Sequence, residues 1–526
     1  MRWRWMAAAA LLAVSCSLFS FPATPSPTTA PPAAPATEAD LPSIPTRLPP
    51  PVGSAPTPPA DWTDDETQRQ PLLEAFADDA AAFPTATRYS IQVDVTLDPS
   101  ASRAILQGIA RIKFTQPLVQ PLDDLVLMLW PNDAQYSAVA TAGPAMIDGQ
   151  VVEAEPLTNG LGLRFTLTEP RSPGASLVVT LPFRVEASGA IRPTAPGRFG
   201  LAEGVLLAPT FYPLIPQLSS AGEWQTQAAP PGGDTTNSDV AFYDVRLTVP
   251  QDMAIAATGS EIERVAHPDD TQTVRFASGP VRDFAFALGP LRSAETTPGE
   301  TVVRAWVLEE HAAAAEGTAR VAARAVQVFE DLLGPYPYDE LDVVDAPGAF
   351  GGIEYPGLIY IGVIGEPGDD LVIVHEVAHE WFYALIGNDQ LNEPWLDEAA
   401  ASYAEVLYLE AIGEPQAATG LLDQFRLILR ASGDEDTPIG LPISSYASES
   451  DYGVVVYLKG ALFFDVLRSR LGDADFKAFL RDYFARHRYG FATSASFQET
   501  AEAACACDLN DLFDLWVFRG GDLKLP

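Results

Sequence analysis

The spacing of apolar residues changes along this chain of 526 residues, and that change limits the folds open to it. Before about residue 300, apolar residues recur at every second position, as on one face of a β-strand. Four runs show this alternation most clearly: Tyr89, Ile91, Val93, Val95, Leu97; Leu125, Leu127, Leu129; Leu177, Val179, Leu181, Phe183, Val185; and Tyr243, Val245, Leu247, Val249. Turn-forming pairs such as Asp98-Pro99 separate them. The pattern predicts an antiparallel β domain over residues 87–300, with two sheets packed as a sandwich.

After residue 300 the apolar spacing becomes helical. One predicted helix begins near His311. A second, buried helix covers residues 371–386 and follows Asp369-Asp370, which we interpret as its N-cap pair. A third runs from Pro394 through residue 398 to about residue 410. The second region, 301–526, is therefore predicted to be mostly helical with some sheet, and the whole chain is a multidomain α+β protein.

The first 21 residues have the features of an export signal. Arg2 and Arg4 precede a short apolar run over residues 7–14, which is too short for a permanent membrane helix. The run ends at Cys16 in a sequence typical of a bacterial lipobox, so we favour a lipoprotein of the cell envelope that faces outward. The alternative is an ordinary cleaved signal peptide, in which Cys16 is incidental and the protein is secreted.

Residues 22–86 form a predicted linker, dense in Pro, Ala and Thr in its first part. Such a composition buries too little apolar surface to fold, so we expect this linker to be disordered. An extended segment of roughly 40 residues would reach on the order of 120 Å. It could hold a folded enzyme away from a membrane, to which only a lipid on Cys16 would attach it.

The net charge and the cysteine content exclude several classes of protein. The chain has 32 basic and 70 acidic residues and a formal net charge of -38. Such a protein repels phosphates, so no nucleic-acid partner is expected. Three cysteines exclude a dense disulfide framework. Cys505 and Cys507 lack the spacing of a zinc knuckle, and we interpret them as two buried small residues in preference to a strained disulfide.

The segment from His375 to His379, in which Glu376 directly follows the first histidine, carries the strongest chemical signal. Residues four apart lie above one another on a helix, so both imidazoles can reach one Zn²⁺. Glu376 can take a proton from the attacking water and pass it to the leaving amine. Two histidines within an otherwise apolar helix also need polar partners, which argues against a coincidental pattern.

Glu398 completes the predicted metal site. It lies 19 positions after His379 on the next predicted helix, between Trp395-Leu396-Asp397 and three alanines. Two antiparallel helices joined by a short loop would bring its carboxylate to the metal. Three protein ligands, His375, His379 and Glu398, would leave the fourth position of one catalytic zinc ion open.

These motifs resemble the aminopeptidase N family of gluzincin zinc metallopeptidases, whose signature is His-Glu-x-x-His, eighteen residues, and Glu. Trp381-Phe382 is similar to the family's aromatic pair, and residues 395–399 are similar to its Trp-Leu-Asn-Glu-Gly. Residues 351–355 resemble its Gly-x-Met-Glu-Asn loop, and residues 457–461 its Tyr-Glu-Lys-Gly-Ala. The resemblance implies a saddle-shaped N-terminal β domain and a thermolysin-like catalytic domain over 301–526.

The resemblance also implies roles for residues outside the metal site. Glu354 would bind the free amino group of a peptide, and Gly351 and Gly352 would let the backbone approach that peptide. Tyr457 would donate its hydroxyl to the oxyanion that forms during hydrolysis. Ser402, one turn after the predicted ligand on its helix, would steady a zinc ligand.

One departure from the family's pattern keeps alternatives open. The family carries a second amino-group anchor in its β domain, whereas the corresponding residues 206–213 here offer no acid or amide. The first interpretation is an aminopeptidase that removes N-terminal residues from peptides. The alternatives are a zinc endopeptidase or other hydrolase using the same site, and a cell-surface binding protein without turnover. The intact Glu376 argues against the last, since metal binding alone does not require it.

Overall fold

The fold is described from a computed structural model, which covers residue 62 and residues 65–188, 198–230, 237–348 and 350–521. The predicted leader, Cys16 and the linker up to residue 61 lie outside the described residues. Within the described ranges, no helix combines the length and apolarity needed to span a bilayer.

The N-terminal region is built from three sheets. Within the described residues the largest has nine strands. Eight follow in the order Ser260–Ala266, Thr271–Ala277, Ala241–Pro250, Thr87–Asp98, Arg103–Thr115, Ser176–Ser188, Ala145–Ile147 and Gln150–Val152, and Ala138–Ala142 also pairs with Ser176–Ser188. A three-stranded sheet has the order Leu122–Met128, Gly162–Arg171, Glu155–Pro156. A four-stranded sheet has the order Gly200–Ala202, Val205–Pro209, Ala285–Gly289, Ala254–Ala257. Alternate side chains of the long strands form the core, as the sequence pattern predicts.

One strand pair departs from the predicted antiparallel arrangement. Thr87–Asp98 pairs antiparallel with Arg103–Thr115 but parallel with Ala241–Pro250, so the largest sheet is mixed. Successive side chains of a strand point to opposite faces of the sheet whether its partner strand is parallel or antiparallel. Alternation therefore predicts the strands but cannot distinguish a parallel partner from an antiparallel one.

The last part of the predicted linker is folded. Short helical turns occur at Glu66–Arg69, Glu74–Phe76 and Asp79–Ala82. Leu72 is buried, and the backbone on either side of it exchanges hydrogen bonds with residues 337–339. The prediction of disorder is therefore wrong for residues 65–86, where a few apolar side chains pack onto the second region.

The second region combines a five-stranded sheet with helices. Within the described residues the sheet has the order Arg292–Thr296, Val302–Val307, Glu340–Asp345, Leu358–Ile361, Gly352–Tyr355. It thus begins shortly before the predicted boundary at residue 300. The longer helices are Ala315–Leu332, Asp369–Ala378, Trp395–Ala411, Pro415–Ser432, Gly460–Leu471, Asp473–His487 and Ser494–Cys505. Single helical turns lie at Glu309–His311, Ile443–Ser445, Glu449–Tyr452 and Asn510–Phe513, and π-helical segments at Gly453–Lys459 and Asp514–Phe518.

The prediction for the two C-terminal cysteines is wrong. Cys505 and Cys507 form a disulfide, and both are only half-buried. The helix Ser494–Cys505 ends there, and the intervening Ala506 has a positive φ of 49°, which turns the chain so that the two sulfurs meet. The helical periodicity of the sequence does not predict that the chain turns at Ala506.

Candidate metal centre and active site

Asp369–Ala378, here named the motif helix, holds His375 and Glu376. It begins after Gly368, whose φ of 100° favours glycine. Asp369 and Asp370 lie in its first turn, where negative charge complements the helix dipole, so the prediction that they form the N-cap is wrong.

The motif helix ends at Ala378, well before the predicted end at residue 386, and His379 is its C-cap. The next residues form wider turns, in which amides bond to carbonyls five positions earlier; Ala384 N donates to His379 O at 2.9 Å. Tyr383 has a φ of 145°, a conformation that glycine favours and that costs other residues about 1–3 kcal/mol. The predicted extension is wrong because an α-helix cannot include such a residue.

Trp395–Ala411, here named the ligand helix, supplies the third predicted ligand, and its start after Pro394 confirms the sequence prediction. His375 contacts both residue 398 and residue 405 of the ligand helix, and His379, one turn later, contacts residue 398. The later histidine thus meets the earlier part of the ligand helix, so the two helices are antiparallel. The Nε2 atoms of His375 and His379 each lie 3.3 Å from Oε2 of Glu398. The ligand atoms of these three buried residues all lie within 4.8 Å of one another.

The outer nitrogen of each histidine has its own partner. Nδ1 of His375 lies 3.0 Å from Oε1 of Glu405, and Nδ1 of His379 lies 2.9 Å from the carbonyl oxygen of Phe382. Both rings therefore direct Nε2 toward Glu398. Two imidazoles oriented by such partners, with one carboxylate, form a three-ligand set that fits zinc.

The histidines and carboxylates of this cluster shift one another's pKa values through their opposite charges. Burial lowers the pKa of His375, but its hydrogen bonds to Glu398 and Glu405 outweigh burial and raise the pKa to about 9. Burial also lowers the pKa of His379, and the negative charges of Glu354 and Glu398 raise it well above its ordinary value. Burial raises the pKa of Glu398, but the two histidines hold it well below its ordinary value. The Glu398 carboxylate is therefore ionised.

Glu376 lies fully buried between the motif helix and the strand Gly352–Tyr355. A Cβ atom at Gly352 would overlap the Glu376 carboxylate, so glycine is required there for the strand to approach. Gly351 supports the same loop, because its carbonyl accepts a hydrogen bond of 2.9 Å from Gly362 N. The two glycines thus shape the surroundings of Glu376 as well as the predicted approach to a peptide.

Glu354 lies on the same strand, which pairs antiparallel with Leu358–Ile361. It is buried, and Gln390 donates a hydrogen bond of 3.2 Å to its Oε1. Ligand atoms of Glu354, Glu376 and His379 lie within 4.8 Å of one another, so Glu354 borders the metal centre directly. The predicted anchoring loop and the predicted metal site therefore form one continuous cluster.

Tyr457 lies in the π-helical segment Gly453–Lys459. Such segments contain an extra residue per turn and are frequent at functional sites. The Tyr457 hydroxyl donates to Oε1 of Glu398 at 2.5 Å, and its ring stacks on the His375 ring with centroids 5.8 Å apart. The structure therefore brings all the residues singled out for catalysis, metal binding and substrate binding into one site: Glu376, Tyr457, His375, His379, Glu398, Gly351, Gly352 and Glu354.

Glu405, and not Ser402, makes the contact with a predicted zinc ligand that the sequence suggests for Ser402. Ser402 is buried on the ligand helix but, within the described part of the chain, makes no hydrogen bond to a metal ligand. Glu405 makes that contact. It lies two helical turns after Glu398, and residues seven apart share a helix face, so that spacing would have indicated it.

The two antiparallel helices, the His-His-Glu set and the adjacent acid form the arrangement that the resemblance to gluzincin zinc peptidases implies. Residues 318–516 match the family model described as the Peptidase family M1 domain.

Two curated relatives and one solved structure are similar to this chain. Aminopeptidase B of Mus musculus is 32% identical over 232 residues, which cover 41% of this chain and 35% of that protein. Aminopeptidase M1-B of Oryza sativa is 27% identical over 303 residues, 53% of this chain and 34% of that protein. The matches thus span about a third of the length of these relatives. The M1 zinc metallopeptidase of Deinococcus radiodurans has the same fold, with a TM-score of 0.63 at 21% identity over 84% of this chain and 96% of that one.

Proposed function

We propose that this protein is a zinc-dependent aminopeptidase, which hydrolyses N-terminal residues from peptides. The observation that carries the proposal is the buried convergence of His375, His379 and Glu398 within 4.8 Å, with Glu354 and Glu376 directly beside them. Three protein ligands suit a catalytic zinc ion, and two further carboxylates have no use in a purely structural zinc site.

The chain's own residues supply most of the chemistry. Zinc bound by the three ligands would polarise the scissile carbonyl and favour ionisation of water. Glu376 accepts the proton of the attacking water and returns it to the leaving amine. The Tyr457 hydroxyl, which lies at the metal centre, donates a hydrogen bond to the oxyanion as it forms. Burial of the whole cluster excludes bulk water and strengthens these interactions.

Glu354 is the residue that favours an exopeptidase. A buried carboxylate beside the metal pairs with a free ammonium group, and the peptide backbone carries one only at its N-terminus. Gln390 holds one of its oxygens, and this fixes the direction of the carboxylate. A variant of the Deinococcus radiodurans protein was solved bound to a Tyr-Ser-Ala substrate, which supports short peptides as substrates here.

The test is cleavage of a panel of aminoacyl reporter amides by the purified protein without its leader. Wild type is compared with Glu376→Gln and with wild type treated with a zinc chelator, and each reporter is also supplied with an acetylated amino group. The proposal predicts chelator-sensitive cleavage of the free-amine reporters only, and none by the variant. Equal cleavage of acetylated and free reporters would contradict the exopeptidase assignment and indicate an endopeptidase.

We also propose that the protein is exported and attached to the cell envelope through a lipid on Cys16. The basic and apolar residues of the leader support export, as does the Cys505–Cys507 disulfide, which suits an oxidising compartment. Labelling of cells with a fatty-acid probe tests the anchor. The wild type should be labelled and Cys16→Ser should not; equal labelling of the two would contradict the proposal.

A further inference from the structure

We propose that Arg282 and Asp283 of the β domain are positioning residues for the zinc ligand His379, and that they act through Tyr383. The inference rests on the zinc site of the proposed function. Arg282 and Asp283 are both buried and precede the strand Ala285–Gly289. Neither residue belongs to the motif helix or the ligand helix, so their influence on the metal must pass through another segment.

Arg282 holds the backbone of the turn that follows the motif helix. Its Nε donates a hydrogen bond of 2.7 Å to the carbonyl oxygen of Tyr383. Its two terminal nitrogens donate to the carbonyl oxygens of Ser238 and Gly490, and its guanidinium lies 4.5 Å from the centre of the Phe491 ring. One buried cation thus joins the β domain, the turn and the loop after Asp473–His487.

Asp283 holds the side chain of the same residue. The Tyr383 hydroxyl donates a hydrogen bond of 3.0 Å to Oδ2 of Asp283. Tyr383 is therefore held at both ends by two consecutive residues, its carbonyl by Arg282 and its hydroxyl by Asp283. This double contact accounts for the persistence of the φ of 145°, which a non-glycine residue adopts only when its surroundings impose it.

Tyr383 in turn determines where the His379 ring can lie. The carbonyl that meets Nδ1 of His379 belongs to Phe382, the residue immediately before Tyr383. The amide of Ala384, immediately after Tyr383, donates to the His379 carbonyl. The turn therefore contacts His379 on both sides of the residue that Arg282 and Asp283 hold. A displaced turn would rotate the ring and move Nε2 away from Glu398.

The experiment compares two Tyr→Phe variants that each lose one buried hydrogen bond between the β domain and the catalytic region. Tyr383→Phe loses the bond to Asp283, whereas the control Tyr338→Phe loses a bond of 2.7 Å to the Pro280 carbonyl; within the described residues the Tyr338 hydroxyl makes no hydrogen bond to the turn. Zinc dissociation constants are measured by competition with a chromogenic chelator, and thermal unfolding of the zinc-free proteins is followed in parallel. We expect zinc to bind about tenfold more weakly to Tyr383→Phe and with unchanged affinity to Tyr338→Phe.

A second variant tests the backbone contact. Arg282→Lys keeps the positive charge but cannot serve three carbonyls with a planar fork of donors, so zinc should also bind at least about tenfold more weakly to it. Arg282→Lys should lower kcat with little change in KM, because the peptide contacts are intact. Wild-type zinc affinity in folded Tyr383→Phe and Arg282→Lys would overturn the proposal, as would an equal loss in Tyr338→Phe.

The zinc measurement separates this inference from the proposed function. If the wild type binds one zinc ion but cleaves no peptide, the aminopeptidase proposal fails, while the zinc affinities of the variants still test the positioning role. If the wild type cleaves free-amine reporters and the variants bind zinc normally, the positioning role fails and the aminopeptidase proposal stands.

Discussion

Nδ1 of His375 and Oε1 of Glu405 lie 3.0 Å apart in the buried interior, on the side of the ring opposite the metal centre. The contact joins the motif helix to the ligand helix two turns away from Glu398, so one helix provides both a ligand and the partner that orients another ligand.

The first prediction concerns this contact. Glu405→Ala removes the carboxylate that fixes the His375 ring and should weaken zinc binding about 10–100-fold. The dissociation constant, measured against a chelator, is the appropriate quantity. Glu414→Ala is the matched control, since Glu414 is exposed just beyond the same helix and should be replaceable without effect on zinc. Unchanged affinity in Glu405→Ala would show that Glu398 alone suffices to orient the ring.

The second prediction separates metal binding from proton transfer. Glu376→Gln keeps the shape of the side chain but cannot accept a proton, so kcat should fall by about 10²–10⁴-fold or more. Because Glu376 is not among the three zinc ligands, the variant should bind one zinc ion as the wild type does. The zinc content of the purified variant is measured together with its turnover. A variant without zinc would refute this division of roles.

The third prediction concerns the close approach at Gly352. The Cβ of Gly352→Ala would overlap the Glu376 carboxylate, so we expect lost activity and destabilisation of about 1–3 kcal/mol. Gly420→Ala is the control: it lies inside the helix Pro415–Ser432, and apart from the backbone of that helix no heavy atom lies within 4 Å of a Cβ there. It should stabilise the protein by about 0.5–1 kcal/mol. Urea unfolding measures both, and equal effects of the two substitutions would contradict the assignment.

The fourth prediction concerns pH. The pKa of His375 is raised from 6.5 to about 9 by its carboxylate partners in the metal-free fold. The folded state therefore holds this proton more tightly than the unfolded state. Its stabilising contribution is complete below pH 6.5 and is lost as the pH rises through 9. With chelator present, His375 should contribute about 3 kcal/mol to the fall in unfolding free energy over that window. The pKa of His379 is also raised, so part of the fall should persist in His375→Gln, which should lose only the His375 share. The same pH dependence in wild type and variant would rule out His375 as its source.

The fifth prediction tests the folded end of the N-terminal linker. Leu72 is 5% exposed and lies against Gly279 and Tyr338, so Leu72→Ala should lower the free energy of unfolding by about 2–5 kcal/mol. Leu427→Ala, at a position 68% exposed, should change it little. If both variants unfold like the wild type in urea, residues 65–86 do not contribute to the stability of the fold.

The metal centre could be predicted from the sequence because its geometry is local. His375 and His379 are one helical turn apart, and Glu398 lies on the next helix, which residues 379–394 place antiparallel to the first. Glu405 lies seven residues after Glu398 on the same helix, so the same periodicity could have predicted that it contacts a zinc ligand.

The features missed by the sequence depend on contacts between distant segments. The end of the motif helix depends on Tyr383, whose backbone is held by Arg282 from another domain. The fold of residues 65–86 depends on packing of Leu72 against residues far along the chain. Neither contact leaves a periodic signal, because each joins a few residues across the tertiary structure.

The parallel pairing of Thr87–Asp98 with Ala241–Pro250 also determines the order in which this protein can be completed during synthesis. Thr87–Asp98, the first strand of the described residues, becomes an interior strand of the largest sheet, and one of its partners is made more than 140 residues later. Contacts between such distant segments form slowly. Until residue 250 has emerged, the strand Thr87–Asp98 of the newly made chain therefore has an open edge, where another molecule could pair.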